Sequence, residues 1–184
     1  MSKIYSSAVV IIPPKEKWAP IQEIRRSYDP QINRWMPHIT LLYPFRPEHK
    51  YPVIEQMFIE KCRTIKPFEI NLNSFHYFSH KNQQYTIWLN PEPVNLIRQL
   101  QSHFLKLIPD CDDVNKFKNG YTPHLSVGQI KGKIRIGRII NDLQNKWKPL
   151  NFLLDEIYFI SRDNFKSSKF QISRKFQLKI HSDN

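Results

Sequence analysis

The sequence contains Pro37-His38-Ile39-Thr40-Leu41 and, later in the chain, the matching stretch Pro123-His124-Leu125-Ser126-Val127. Each copy runs from proline to histidine, an apolar residue, a hydroxyl residue and a second apolar residue. Because successive side chains of a strand point to opposite faces, each histidine and its hydroxyl partner would share one face. Two such strands lying side by side would present two imidazoles and two hydroxyls to a single cleft.

The two histidines are 86 positions apart, which is close to half of the 184 residues. A pattern that recurs at this interval indicates a duplicated unit. The sequence therefore predicts an α+β fold with two pseudo-symmetric lobes, each an antiparallel sheet with flanking helices, around a central cleft. We expect residues 1–184 to form one bilobal domain, because the length suits a single core and no flexible linker is visible.

Apolar periodicity predicts the secondary structure along the chain. The predicted strands are residues 4–12, 37–45, 68–78, 84–89, 122–130, 152–161 and 169–180, and helices are predicted at 18–28, 53–64, 94–108 and from near residue 136. A polar link at residues 79–83 indicates a hairpin. Each half of the chain would then have the order β-α-β-α-β-β if one further strand precedes the second Pro-His copy.

The chain is strongly basic, with 28 Lys and Arg residues against 16 acidic residues and a formal net charge of +12. This excess favours an anionic partner, and nucleic acid or a phosphorylated small molecule is the first candidate. The alternative that the protein is simply basic, with no anionic partner, stays open. No apolar run reaches the roughly 18 residues of a membrane helix, so no membrane partner is expected. Cys62 and Cys111 lack metal-type spacing and indicate free thiols in a reducing compartment, cytoplasmic or nuclear. We expect a monomer.

Paired histidines suit the cleavage of a phosphodiester. One imidazole can deprotonate the attacking oxygen while the other protonates the departing oxygen, because histidine exchanges protons near neutrality. The hydroxyls of Thr40 and Ser126 could stabilise negative charge on the phosphoryl oxygens, and Gly128 has no side chain to block a ligand. The acidic residues are scattered, with no His-x-x-x-His pattern, so neither a metal nor another cofactor is expected.

Residues 34–45 and 121–129, which contain the two Pro-His copies, resemble the two-histidine (2H) phosphoesterase superfamily and look most like its eukaryotic members. That superfamily includes RNA 2',3'-cyclic phosphodiesterases, once called 2'-5' RNA ligases. The resemblance spans residues 8–161, and it implies that His38 and His124 are catalytic and that the paired hydroxyls hold the phosphate. The implied activity is metal-independent opening of a 2',3'-cyclic phosphate on RNA or a small nucleotide.

Other functions stay open at this point: cleavage of 2'-5' linkages, 3' trimming of RNA, and RNA binding without turnover. Arg34 and Lys131 flank the two copies and could contact further phosphates of a substrate. The aromatic residues within 75–78 could stack on a base or pack in the core. Regular strands would place Tyr43 and Gln129 on the face opposite the histidines. The remaining histidines lack the hydroxyl two residues on and are expected to be structural or on the surface: His49, His76, His80, His103 and His181.

Overall fold

The computed structural model describes residues 2–116, 119–163, 165 and 168–179, with the Ile134 side chain excepted. Within these residues the strands are β1 (Ser7–Ile11), β2 (Ile39–Leu42), β3 (Phe68–Ser79), β4 (Gln84–Glu92), β5 (Leu125–Lys131), β6 (Leu150–Leu154), β7 (Glu156–Ser161) and β8 (Gln171–Gln177). The α-helices are α1 (Trp18–Tyr28), α2 (Tyr51–Cys62), α3 (Val94–Leu107) and α4 (Lys133–Lys146). The predicted end of the last strand at Ile180 and the residue His181 lie outside the described residues.

All eight strands form one antiparallel sheet in the order β6-β3-β4-β5-β2-β1-β7-β8. The two strands that follow the Pro-His copies, β2 and β5, are neighbours at its centre and share one register pair, Ile39 with Leu125. One half of the sheet is therefore β2-β1-β7-β8 and the other is β5-β4-β3-β6. The predicted α+β class with two sheet lobes is confirmed, and each lobe supplies one central strand.

The two halves of the sheet do not correspond to the two halves of the chain. Strands β7 and β8 come from the end of the sequence but pair beside β1, which is near its start. Between α3 and β5 the described residues contain a short 3₁₀ turn, Asp113–Asn115, and no strand. The predicted order β-α-β-α-β-β is therefore confirmed for the first half of the chain, which runs β1-α1-β2-α2-β3-β4. It is wrong for the second half, where the described residues have no further strand before the second Pro-His copy and follow the order α3-β5-α4-β6-β7-β8.

The predicted single strand at residues 152–161 is also wrong. The chain forms β6 before Asp155 and β7 after it, and these two strands belong to different halves of the sheet. The carbonyl oxygen of Asp155 accepts hydrogen bonds from the backbone N–H of Leu178, at 2.7 Å, and from the side-chain Nε2 of Gln177, at 3.0 Å. A break of one residue without proline or glycine leaves little trace in the apolar pattern.

Strand β1 separates two apolar clusters, because its alternate side chains face opposite sides of the sheet. Val9 and Ile11 are buried in the large core. Ala8 and Val10 are buried in a smaller cluster, against which Trp35 packs. The segment that leads into the first Pro-His copy therefore lies on the sheet face of the smaller cluster.

Cys62 and Cys111 are buried free thiols, as predicted. Burial raises the pKa of the Cys62 thiol to about 12 and that of the Cys111 thiol to about 11. Neither sulfur is therefore a thiolate nucleophile at neutral pH. In the described part of the chain, no helix combines the length and the apolar character needed to cross a bilayer.

Candidate active site

Each Pro-His copy holds its imidazole in the same way. Nδ1 of His38 donates a hydrogen bond to the carbonyl oxygen of Met36, and Nδ1 of His124 donates to the carbonyl oxygen of Thr122, both at 2.7 Å. Because a carbonyl oxygen can only accept, each Nδ1 carries the proton and Nε2 of the neutral ring keeps its lone pair. The repeated sequence thus produces two imidazoles in the same tautomer, each with one nitrogen left for a ligand.

Both histidines lie one residue before their strands, since β2 begins at Ile39 and β5 begins at Leu125. The prediction that they lie inside the strands is therefore wrong. The carbonyl oxygen two residues back, and not the pleat of a strand, sets the orientation of each ring.

A cavity of about 180 Å³ brings residues of the two copies together. It is lined by His38 from the first copy and by Ser126 from the second, with Gly128 beside them. Its other lining residues are Arg25, Asp29, Gln31, Trp35, Thr86 and Gln129. His124 does not line this cavity, but it lies within electrostatic reach of His38. We call this cavity the histidine pocket.

Aromatic rings pack against both imidazoles. The Trp35 indole stacks on His38 with ring centroids 4.8 Å apart, and its stack with Phe170 has a centroid distance of 3.7 Å. Phe78 meets the His124 ring edge to face at 4.9 Å, and Trp88 lies 6.0 Å from it. These contacts restrict each ring and exclude water from it.

The pKa of His38 is lowered to about 4, chiefly by burial, and the Arg25 cation and the neighbouring His124 act in the same direction. The hydrogen bond to Met36 and the Asp29 carboxylate act in the opposite direction. Burial also lowers the pKa of His124, and its bond to Thr122 partly offsets this. Both imidazoles are therefore neutral near pH 7 in the protein alone.

Arg25 is a residue of this pocket that we did not single out from the sequence. It is 2% exposed, and its guanidinium donates to Asp29 at 2.7 Å, to Gln22 at 2.9 Å and to the carbonyl oxygen of Trp35 at 2.9 Å. These bonds tie the end of α1 to the segment before His38. A charged residue on the apolar stripe of a predicted amphipathic helix is the signal that could have identified it.

The other residues selected from the sequence take different positions. The Thr40 side chain is half-buried on β2 and does not line the histidine pocket, and the Thr40 carbonyl oxygen accepts from the Tyr121 hydroxyl at 2.7 Å. Arg34 is half-buried, its carbonyl oxygen accepts from the N–H of Phe170 at 2.9 Å, and it also lies outside the pocket lining. Lys131 is exposed at the end of β5 and lines two neighbouring cavities.

A bulge in β5 changes which residues face the pocket. Ser126 pairs with Trp88 and Gly128 pairs with the neighbouring residue of β4, so Val127 is an additional residue in the strand. A bulge interrupts the regular alternation of faces, which is why Gln129 lines the histidine pocket although regular alternation placed it on the opposite face.

Gly128 lies where the end of α1 packs closely against β5. A Cβ atom at this position would clash with Cβ of Tyr28 and would lie 3.2 Å from the Tyr28 carbonyl oxygen. Gly128 lines the histidine pocket, and its missing side chain also lets α1 approach β5.

The aromatic stretch at residues 75–78 divides between the two faces of β3. Phe75 is buried in the large core, whereas His76 and Phe78 both stack on the Trp88 ring at 4.9 Å. Tyr77 is 48% exposed. The stretch thus contributes one residue to the core and two to the aromatic contacts around His124.

Comparison with known proteins identifies the family. A family model described as the 2'-5' RNA ligase superfamily matches residues 13–165, which is most of the chain. The chain belongs to the 2'-5' RNA ligase superfamily. This assignment confirms the resemblance to the 2H phosphoesterases and places the chain among phosphodiesterases. The particular likeness to eukaryotic members stays a prediction.

Two curated proteins show the same kinship. An RNA 2',3'-cyclic phosphodiesterase of Methanothermobacter thermautotrophicus is 31% identical over 138 residues, covering 68% of this chain and 71% of that protein. A protein of Bacillus licheniformis named for phosphoesterase activity is 25% identical over 122 residues, covering 66% of this chain and 69% of its own length.

Solved structures show that the fold is that of the superfamily. A protein of Thermus thermophilus superposes with a TM-score of 0.67 at 17% identity, covering 95% of this chain and 98% of that chain. E. coli LigT, crystallised with 3'-AMP, superposes with a TM-score of 0.58 at 13% identity, covering 97% of this chain and 100% of LigT.

Proposed function

We propose that this member of the 2'-5' RNA ligase superfamily hydrolyses 2',3'-cyclic phosphate ends of RNA or small nucleotides without a metal, using His38 and His124. One observation carries the proposal: both imidazoles donate from Nδ1 to a backbone carbonyl and keep Nε2 for a substrate. Among the described residues, no group of three or more His, Cys, Asp or Glu side chains could hold a metal ion.

The two imidazoles can divide the proton transfers of hydrolysis. Nε2 of one neutral histidine takes a proton from water, whose oxygen forms the new bond to phosphorus. The bond from phosphorus to one ribose oxygen breaks, and that oxygen receives a proton from the second histidine. Solvent exchange then returns both rings to their starting state, so the sum is one water added across one P–O bond.

The pKa of His38, which is about 4, suits the base in the protein without substrate. The second histidine must carry a proton to act as the acid, and a bound phosphate anion favours this because a nearby negative charge raises an imidazole pKa. Substrate binding would therefore supply the protonated form that burial alone disfavours. The orientation of the substrate decides which ring takes which role.

The hydroxyls are proposed to stabilise the phosphoryl oxygens. Ser126 lines the histidine pocket together with His38, so a phosphate beside the imidazole would meet its Oγ. Thr40 is proposed for the equivalent role in the other copy, because it occupies the same place relative to His38. Preorganised donors of this kind typically contribute about two to three powers of ten in kcat each.

The relatives support a nucleotide phosphodiester as the substrate. The archaeal relative is named an RNA 2',3'-cyclic phosphodiesterase. E. coli LigT has been crystallised with 3'-AMP, with ATP and with NADP+. A net charge of +12 favours the same class of anionic partner.

The decisive experiment measures turnover of a 2',3'-cyclic mononucleotide in the presence of EDTA. We expect activity in the wild type, a 2'-phosphate as product, and a fall of about 10²- to 10⁴-fold in kcat for His38→Ala and for His124→Ala. His49→Ala is the matched control, because His49 is an exposed histidine outside the pocket, and it should keep full activity. Activity that requires added divalent metal would refute the mechanism.

A substrate panel separates the alternatives. Cleavage of 2'-5' dimers in preference to the cyclic phosphate would favour the 2'-5' phosphodiesterase. Shortening of 3'-end-labelled RNA would favour the trimming exonuclease. Tight RNA binding without turnover of any diester would favour a binding module. The expected monomeric state and the cytoplasmic or nuclear location stay predictions.

A further inference from the structure

Two further cavities continue from the histidine pocket along the surface. The first has a volume of about 330 Å³ and shares Thr86 and Gln129 with the pocket lining. The second has a volume of about 470 Å³ and shares Asp29 and Gln129 with it. Both cavities are lined by Pro30 and Lys131 as well. The three spaces therefore form one groove, which we call the β4–β5 groove.

Three cationic side chains converge on the outer part of this groove from three different elements. Arg26 comes from α1, Lys131 from β5 and Arg135 from α4, and all three are exposed and line the second cavity. None of them is ion-paired with another residue of the part of the chain that the structure describes. Asp29 also lies in the lining, and its carboxylate is already paired with Arg25 at 2.7 Å. The outer part of the groove is therefore positively charged.

Polar groups continue along the inner part of the groove. His80 and Thr86 line the first cavity and are hydrogen-bonded to each other, Nε2 to Oγ1, at 2.8 Å. The Gln84 and Gln129 side chains line the same cavity, and both residues are exposed. Amides and hydroxyls of this kind can hydrogen-bond sugar hydroxyls and phosphate oxygens without selecting a base.

The chemistry of the proposed substrate determines what could fill this groove. A 2',3'-cyclic phosphate is the 3' end of its RNA, so every additional nucleotide lies on the 5' side. With the cyclic end in the histidine pocket, a groove leading away from that pocket can be occupied only by these upstream nucleotides. Their phosphates are the anions that a row of exposed cations attracts.

We propose that the β4–β5 groove binds the upstream phosphodiesters of single-stranded RNA through Arg26, Lys131 and Arg135, which makes an oligonucleotide the preferred substrate over a mononucleotide. This inference rests on the proposed function, because it takes the reacting end to lie beside His38. It adds a binding site to that function and a dependence of KM on substrate length.

The test compares uridine oligomers of one to four nucleotides that end in a 2',3'-cyclic phosphate. For the wild type we expect kcat/KM to rise with length, to about tenfold above the mononucleotide, since three exposed ion pairs together provide roughly that factor. The Arg26→Ala/Lys131→Ala/Arg135→Ala variant should lose this gain, so that its kcat/KM no longer rises with substrate length. Its salt dependence on the longest oligomer should fall by about 0.7 in logarithmic slope for each phosphate that is no longer bound.

A matched variant removes the same charge from another surface. Arg63, Lys66 and Lys179 are exposed and lie outside the three cavities of the groove. Their triple alanine variant should keep the length preference, because it lowers the net charge equally without altering the groove. A wild type that turns over all lengths equally, or a loss of preference in both triple variants, would overturn the inference and leave the proposed function standing.

Binding measurements keep the two proposals separable. Fluorescence anisotropy with the same oligomers ending in a 3'-phosphate reports the groove without requiring turnover. Length-dependent affinity that only the groove variant loses would support the site even if no cyclic phosphate were hydrolysed, a result that would refute the proposed function alone. Affinity that is independent of length would overturn the groove proposal directly.

Discussion

The indole ring of Trp35 stacks on the imidazole of His38, with ring centroids 4.8 Å apart and ring planes 18° apart. Phe170 stacks on the same indole at 3.7 Å, and the Trp35 carbonyl oxygen accepts a hydrogen bond from Arg25. The imidazole is therefore held by a ring whose own position is fixed from two directions. A change to the indole or to the guanidinium should alter the His38 ring as well.

Replacing the stacked ring should reduce turnover. We expect Trp35→Leu to lower kcat on a 2',3'-cyclic nucleotide by about tenfold, because small displacements of a reacting group are costly. Trp35→Phe keeps an aromatic face against His38 and should retain most of the activity. Steady-state kinetics with both variants provides the check, and a Trp35→Leu enzyme with the wild-type kcat would contradict a positioning role for the stack.

Removing the buried guanidinium should destabilise the fold. Arg25 and Asp29 are 2% and 9% exposed in their side chains and form an ion pair at 2.7 Å. Arg25→Met leaves the Asp29 carboxylate buried without its partner, which typically costs about 3–5 kcal/mol of unfolding free energy. Urea unfolding monitored by tryptophan fluorescence measures this loss.

An exposed ion pair offers the matched comparison. Lys175 and Glu156 lie 2.9 Å apart, with the lysine side chain 60% exposed. Lys175→Met should change the unfolding free energy by no more than about 1 kcal/mol, because solvent screens such pairs. Equal losses in Arg25→Met and Lys175→Met would show that burial does not strengthen the dependence on Arg25.

The pH profile should reflect the lowered pKa of His38. A base is active only when unprotonated, so a pKa near 4 moves the acidic limb of kcat/KM below the usual histidine value of 6.5. With His38 as the base, we expect kcat/KM to be lost along this acidic limb as the pH falls toward 4. An acidic limb at 6.5 in the wild type would contradict this.

Charge changes beside His38 should move that limb in opposite directions. The Arg25 cation lowers the pKa of His38 and the Asp29 carboxylate raises it. Arg25→Met should therefore shift the limb to higher pH, and Asp29→Asn should shift it to lower pH. Profiles of both variants, recorded where each is folded by circular dichroism, provide the test, and shifts of the same sign would argue against a direct electrostatic effect.

Alanine substitutions at two glycines should change the free energy of unfolding in opposite directions. Gly128→Ala places a Cβ against Tyr28 at the close approach of α1 to β5, and it should cost about 1–3 kcal/mol by overpacking. Gly137→Ala lies in α4 with no atom within 4 Å of the new Cβ, and it should stabilise the protein by up to about 1 kcal/mol through helix propensity. Thermal unfolding distinguishes the two, and a neutral Gly128→Ala would refute the steric argument.

Most of the correct predictions came from the two Pro-His copies. They indicated two lobes, a shared cleft and the pairing of His38 with the region of Ser126, because repeated sequence forms repeated local structure. The hydrogen bond from each Nδ1 to the carbonyl two residues back belongs to that same local pattern. These features depend on residues that are close together in the sequence, so they can be predicted from one sequence.

What the sequence could not indicate depends on long-range pairing. The break at Asp155 divides one apolar run between two ends of the sheet, and the partners that stabilise it come from the region of Leu178. The additional residue Val127 in β5 turns Gln129 toward the pocket, and a bulge leaves no signature in the residues around it. Arg25 joins the site only because the segment before His38 folds back against α1.

Two helices pack on central strands that belong to the opposite halves of the sheet. Helix α1, which precedes β2 in the chain, packs on β5, whereas α3, which precedes β5, packs on β2. Each central strand is thus covered by the helix that leads to the other one. Cutting the chain between β4 and α3 would leave both fragments with an uncovered strand and would separate His38 from His124, so the pair is assembled only in a molecule that has folded from end to end.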